Sequence, residues 1–109
     1  MQDLEITEKI NDGKCLLIAR GRVDSNSADL LLLKLENALN NGQKTIIINM
    51  SQVEYLSSIG IRVILKIYKQ LNETGGTLNV EHPSEIVKNV LGMVALKEML
   101  VANEPFSAY

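Results

Sequence analysis

The chain has 109 residues, 46% hydrophobic and 22% charged, with a formal net charge of −2; it is long enough for one core and too short for two. Its scattered basic residues exclude the electrostatic footprint of direct nucleic-acid binding, and no apolar run approaches the ~20 residues that cross a bilayer. One cysteine leaves no internal disulfide, and the acidic start Met1-Gln2-Asp3-Leu4-Glu5 lacks a signal-peptide pattern, so the expectation is one cytoplasmic domain, residues 1–109, without membrane insertion.

Residues 3–10 alternate, with Leu4, Ile6 and Ile10 opposite Glu5, Thr7 and Lys9, as in a half-exposed edge strand. Asn11-Asp12-Gly13 is a hairpin signal. Cys15 to Ala19 reads as a more buried, antiparallel strand, with Cys15 a small core residue lacking a basic neighbour to activate it. The segment 21–27 ends that strand and opens a helix. Asp24, Ser25, Asn26 and Ser27 are all suitable N-caps, and composition does not choose among them. Leu31, Leu32, Leu35, Ala38 and Leu39 form the inward stripe; Leu30 and Leu33 lie off it. Asn41-Gly42 is a stop signal.

Lys44 to Asn49 is an isoleucine run without alternation, the mark of a central strand. Residues 50–57 read as a loop leading to a second helix, roughly Ser58 to Glu73, which Gly75-Gly76 ends. Its inward face is Ile61, Ile64, Leu65, Ile67, Tyr68 and Leu71, with Arg62, Lys66, Lys69 and Gln70 opposite. Thr77 to Val80 is a short fourth strand. His82-Pro83-Ser84-Glu85 starts a third helix, with Ile86, Val87, Val90 and Leu91 inward. Leu96 to Ala102 suits a helix or a final strand, and 103–109 reads as irregular. The order β-β-α-β-α-β-α, with right-handed crossovers, implies parallel pairing after the first hairpin.

No catalytic constellation emerges, and one Cys with one His makes no metal site of known spacing. Neither common phosphate-loop motif is present, so no cofactor is expected. What stands out is Ser57-Ser58 where a loop becomes a helix N-terminus, beside Ile59 on the polar side of that helix. Capping is one role for either serine, and neither has Glu or Gln three residues on to form a capping box.

The stretch Val53 to Leu65, centred on Ser57-Ser58-Ile59-Gly60-Ile61-Arg62, resembles the phosphoserine loop and helix of the STAS domain, found in bacterial anti-sigma factor antagonists. Gly21-Arg22-Val23-Asp24 is similar to that family's strand end, Ser27-Ala28 to its helix start, and 45–51 to its central strand, with Asn49 where Asp is common. The resemblance implies an α/β fold: a STAS-type mixed sheet of four to five strands with helices packed mainly on one face. It implies a non-enzymatic switch that binds an anti-sigma factor, itself a serine kinase, when unphosphorylated, and so frees a sigma factor. A serine phosphatase would reverse the modification. Carried over by position, the acceptor is Ser58, with Ser57 the second choice. The partner surface is Asp24, Asn26, Ser57, Ser58, Ile59, Arg62, Val63 and Lys66. Two departures stand out: Ser57 occupies the place where many antagonists have Asp, and the family's last helix has no clear counterpart. The family also implies two other roles, a constitutive scaffold or transport-system subunit and a small-ligand or nucleotide-binding domain.

Overall fold

The computed structural model describes residues 3–93, and its chain path begins with the expected hairpin. Strands β1 (Leu4–Asn11) and β2 (Lys14–Val23) are joined by Asp12 and Gly13, at φ 47° and 81°, the positive pair that a two-residue type I′ turn requires. Then follow α1 (Ala28–Asn40), β3 (Thr45–Leu56), α2 (Ser58–Glu73), β4 (Thr77–Glu81) and α3 (Glu85–Met93). The sheet order is β1-β2-β3-β4, with β1 antiparallel to β2 and β3 parallel to both its neighbours.

Strand parity decides where the core sits. Cys15, Leu17 and Ala19 of β2, Ile46, Ile48 and Met50 of β3, and Leu78 and Val80 of β4 are at most 1% exposed. They form one cluster with Leu31, Leu35 and Ala38 of α1, Ile61, Ile64, Ile67 and Leu71 of α2, and Val87 and Leu91 of α3. The described helices therefore cover one face of the sheet. Each fully buried leucine or isoleucine contributes roughly 1.5–3 kcal/mol of transfer free energy. On the opposite face Leu16, Ile18 and Asn49 are only half-buried. Cys15 is completely buried, and its thiol donates to Glu8 Oε2 at 3.8 Å. Burial first, then the charge and hydrogen bond of Glu8, push that thiol up to about 11, which leaves it an unreactive core residue.

Three expectations need correction. Residues 50–56 are strand, not loop. The register runs Ile18↔Asn49, Arg20↔Gln52, Gly21↔Val53 and Arg22↔Tyr55, so β3 gains a residue on β2 twice. These bulges twist the strand and change its repeat: the inward residues become Met50, Val53 and Leu56, three apart, which hides the strand from a period-two pattern. By the same pairing β2 continues past Ala19 to Val23. Second, Ile86 is 44% exposed rather than inward, because Val87 and Leu91 take the core positions of α3. Third, Ile10 is 52% exposed, since the edge strand loses its cover towards the hairpin. The fifth strand, the choice of helix or strand at 96–102 and the tail 103–109 lie outside the described residues.

Past the last β3–β4 pair, Asn49↔Glu81, β3 has no strand on that side among the described residues. Ser84 takes over. Its amide donates to the Met50 carbonyl at 3.1 Å and its hydroxyl to the Val53 carbonyl at 2.7 Å. The same hydroxyl accepts from the Val87 amide at 3.3 Å, so one serine caps α3 and satisfies a bulged strand edge.

At the same end of the sheet, on β2 opposite Val53, Gly21 has φ +114°, and a Cβ there would run into the Asp3 carbonyl, which accepts the Arg22 amide at 2.8 Å. We expect Gly21→Ala to cost roughly 1–3 kcal/mol, read as a lower urea midpoint with an unchanged slope. Wild-type stability in that variant would show that β1 can retreat from β2 without penalty.

Candidate functional site

The bulged ends of β2 and β3 finish side by side at the carboxyl edge of the sheet, where open α/β sheets place their binding sites. One bond ties the two outgoing loops together: the Ser57 amide donates to the Val23 carbonyl at 2.9 Å. Close packing reinforces it. A Cβ on Gly60 would lie 2.6 Å from Val23 Cγ1 and 2.8 Å from Leu56 Cδ1, so only a residue without a side chain lets the first turn of α2 sit this low on the sheet.

The two serines differ in state. Ser57 is the N-cap, extended at φ −86° and ψ 168°, and its hydroxyl accepts from the Gly60 amide at 3.3 Å. Ser58 is the first helical residue and is exposed. Among the described residues its hydroxyl has no hydrogen-bond partner. The first turn of α2 holds no acidic residue, so the positive end of its dipole is not offset by a carboxylate there.

The neighbouring loop is organised by Asp24. Its Oδ1 accepts from the amides of Asn26 at 3.0 Å and Ser27 at 3.2 Å, and its carbonyl accepts from Ala28 at 2.8 Å. Ser27, the residue before α1, makes no side-chain cap; its buried hydroxyl donates to the Arg22 carbonyl at 2.6 Å. By position the cap is thus Ser27, without a side-chain bond to the helix, and the Asp24 carboxylate holds the turn that precedes it. Partial desolvation pushes the Asp24 carboxyl up. The Asn26 amide, the Ser27 hydroxyl and amide and the Arg22 guanidinium outweigh it and hold the carboxyl below its ordinary value.

Two site residues went unseen in the sequence. Arg22 Nε lies 3.6 Å from Asp24 Oδ2, and its guanidinium sits 4.5 Å over the Tyr55 ring, a cation–π contact. Tyr55 is 41% exposed, as is Ile59. Arg22 and Tyr55 are register partners only because of the bulges, so no sequence signal paired them. Of the expected surface residues, Asp24, Asn26, Ser57, Ser58 and Ile59 gather on the two tied loops, and Arg62 stands one helical turn on, exposed. Val63 is half-buried against the core. Lys66 is not brought to the loops: it lies about 12 Å further along the axis from Ser58, and its ammonium is 4.0 Å from Glu36 of α1. Among the described residues no three His, Cys, Asp or Glu side chains gather to hold a metal ion.

Residues 3–108 match the family model of the STAS domain. A candidate anti-sigma factor antagonist of Bordetella bronchiseptica, BtrV, is 29% identical over 75 residues, which is 69% of this chain and 65% of that protein. The matched stretch is therefore just under two thirds of that relative's length. The crystal structure of a candidate anti-sigma factor antagonist from Thermotoga maritima, 26% identical, superposes with a TM-score of 0.85 over 94% of this chain and 89% of that one. The antagonist SpoIIAA in its unphosphorylated form, 19% identical, gives 0.81 over 95% and 92%. The phosphorylated Bacillus SpoIIAA, 17% identical, gives 0.75 over 95% and 96%. The same fold is thus found with and without a phosphate in that protein.

The depressed Asp24 carboxyl makes loop stability depend on pH with a fixed sign. Its contribution is complete above the unfolded value and is lost as pH falls through the lower folded one. The melting temperature of wild type should exceed that of Asp24→Asn at pH 7, and the gap should begin to narrow as pH falls below about 4. A gap that is constant from pH 7 to pH 3 would mean the charge of Asp24 contributes nothing.

Proposed function

The chain belongs to the STAS domain family, and we propose that it is an anti-sigma factor antagonist, a protein-interaction switch controlled at Ser58. The observation that carries this reading is the contrast between the serines: the Ser57 hydroxyl is bonded to the Gly60 amide, whereas that of Ser58 is exposed at the first position of α2. In the unmodified state the chain binds an anti-sigma factor in the cytoplasm, leaving a sigma factor free. The partner acts as a serine kinase. The Ser58 oxygen attacks the γ-phosphorus of a nucleoside triphosphate held by the kinase, the hydroxyl proton passes to a kinase base, and the diphosphate leaves. A phosphatase restores the hydroxyl by hydrolysis. The chain itself contributes binding, not catalysis.

Asp24, Asn26, Ser57, Ser58, Ile59, Arg62, Val63 and Lys66 form the proposed contact surface, with Arg22 and Tyr55 added. Ile59 is its apolar anchor, and Lys66, already close to Glu36, lies at its rim. Magnitudes choose how a phosphate would release the partner. It adds about −1.5 to −2 charges at pH 7. At a helix N-terminus an anion stabilises by roughly 0.3–1 kcal/mol, so it does not unfold the helix it sits on. Misplaced like charge across a protein interface costs several kcal/mol. The interface effect is larger and has the sign that release requires, so the block is steric and electrostatic with the fold preserved.

Phosphopeptide mapping of protein from its own cells should find phosphate on Ser58; phosphate solely on Ser57, or on neither, sinks the assignment. Ser58→Asp should melt within a few degrees of wild type yet bind the anti-sigma factor poorly, and Ser58→Ala should bind and resist inactivation. A large fall in melting temperature as the cause of release would overturn the block.

Ile59→Glu should weaken the complex more than tenfold, over about 1.4 kcal/mol. Unchanged affinity in a titration, with the fold intact, would put the partner surface elsewhere.

A further inference from the structure

We infer that Arg62 receives the phosphate carried by Ser58, so that modification withdraws a cation from the contact surface as well as adding an anion to it. The inference rests on the proposed modification of Ser58 and names the group on this chain that answers it. Ser58 and Arg62 are residues i and i+4 of α2, neighbours on one helix face about 6 Å apart along the axis. A long helical side chain leans towards the N-terminus over the preceding turn, and that direction carries the Arg62 guanidinium back to position 58. An acid at i with a base at i+4 is also the favourable order along the helix dipole.

The other cations near the site are already engaged. Arg22 is held by Asp24 and stacked on Tyr55, and Lys66 is turned to Glu36. Among the described residues Arg62 has no ion-pair partner and is exposed. No carboxylate in the first turn of α2 competes for it, and Ser57 in the capping position is neutral. The planar guanidinium fork matches two phosphate oxygens at once, which an ammonium cannot do.

The test is a ³¹P NMR titration from pH 4.5 to 8 at low salt, on the full chain with phosphoserine encoded at position 58. The second ionisation of phosphoserine lies at about 6. In wild type it should lie about half a unit below its value in Arg62→Gln carrying the same phosphate. Arg22→Gln should leave the lowered value in place, and Arg62→Lys should retain part of the shift. Equal values in wild type and Arg62→Gln overturn the inference, as does a shift that disappears with Arg22→Gln instead. The titration needs no partner protein, so its failure leaves the antagonist reading standing. Absence of phosphate on Ser58 in cells would sink that reading without touching the titration.

Discussion

The site depends on a single tie between two loops, the Ser57 amide to the Val23 carbonyl at 2.9 Å. It fixes where α2 begins, because Ser57 is then held extended and its hydroxyl faces the amide of Gly60. It also fixes how deeply α2 sits, because the Gly60 backbone comes to rest on Val23 and Leu56. With the helix start set, Ser58 can only be its first residue, with its hydroxyl outside. The identity of the free serine is therefore decided by a bond made by its neighbour.

That tie in turn needs both strands to reach the same edge, and the bulges in β3 provide this. Twice β3 spends an extra residue against β2, and the added twist swings Tyr55 beside Arg22 and carries Leu56 into the core. The far side of the bulged stretch is held by Ser84, which bonds Met50 and Val53 where β4 has ended. An irregular strand is thus braced from both sides, by the Asp24 loop and by the start of α3. Such bracing suits the proposed switch, in which the surface charge changes and the shape does not.

Much of this was legible in the sequence and some was not, for reasons that can be named. The hairpin at Asp12-Gly13, the inward stripe of α2 and the stops after α1 and α2 follow from turn chemistry and period, and each lies where the pattern places it. The helix start at Ser58 was legible too, since the apolar period of α2 begins there. The end of β3 was not, because burial at Met50, Val53 and Leu56 has neither strand nor helix period. Arg22 and Tyr55 were invisible for the same reason: their pairing is a product of the bulges. Lys66 shares a polar face with Arg62, but about two turns of helix separate it from Ser58 and its ammonium lies 4.0 Å from Glu36 of α1, which puts it at the rim of the proposed surface. A helical wheel gives direction around an axis but not position along it.

The neutral serine at position 57 bears on how strongly one phosphate can be felt. Where Asp occupies the capping position, as in many antagonists that this loop resembles, the amides at the start of the helix already face a negative charge. An added phosphate then meets an anion as well as the dipole. Here Ser57 caps with a hydroxyl, the first turn has no acid, and the nearby Asp24 carboxylate is turned to the Asn26 and Ser27 amides and faces Arg22. The first turn of α2 thus keeps its positive dipole end uncompensated in the unmodified chain, with exposed Arg62 one turn on beside exposed Ile59. In the proposed switch, a phosphate of nearly two charges would meet that positive helix end first, where in an Asp-capped loop it would be added to a negative charge already present. A hydroxyl in place of the capping carboxylate therefore leaves the size of that charge step unchanged but starts it from a neutral cap, while the hydrogen bond that caps the helix is kept.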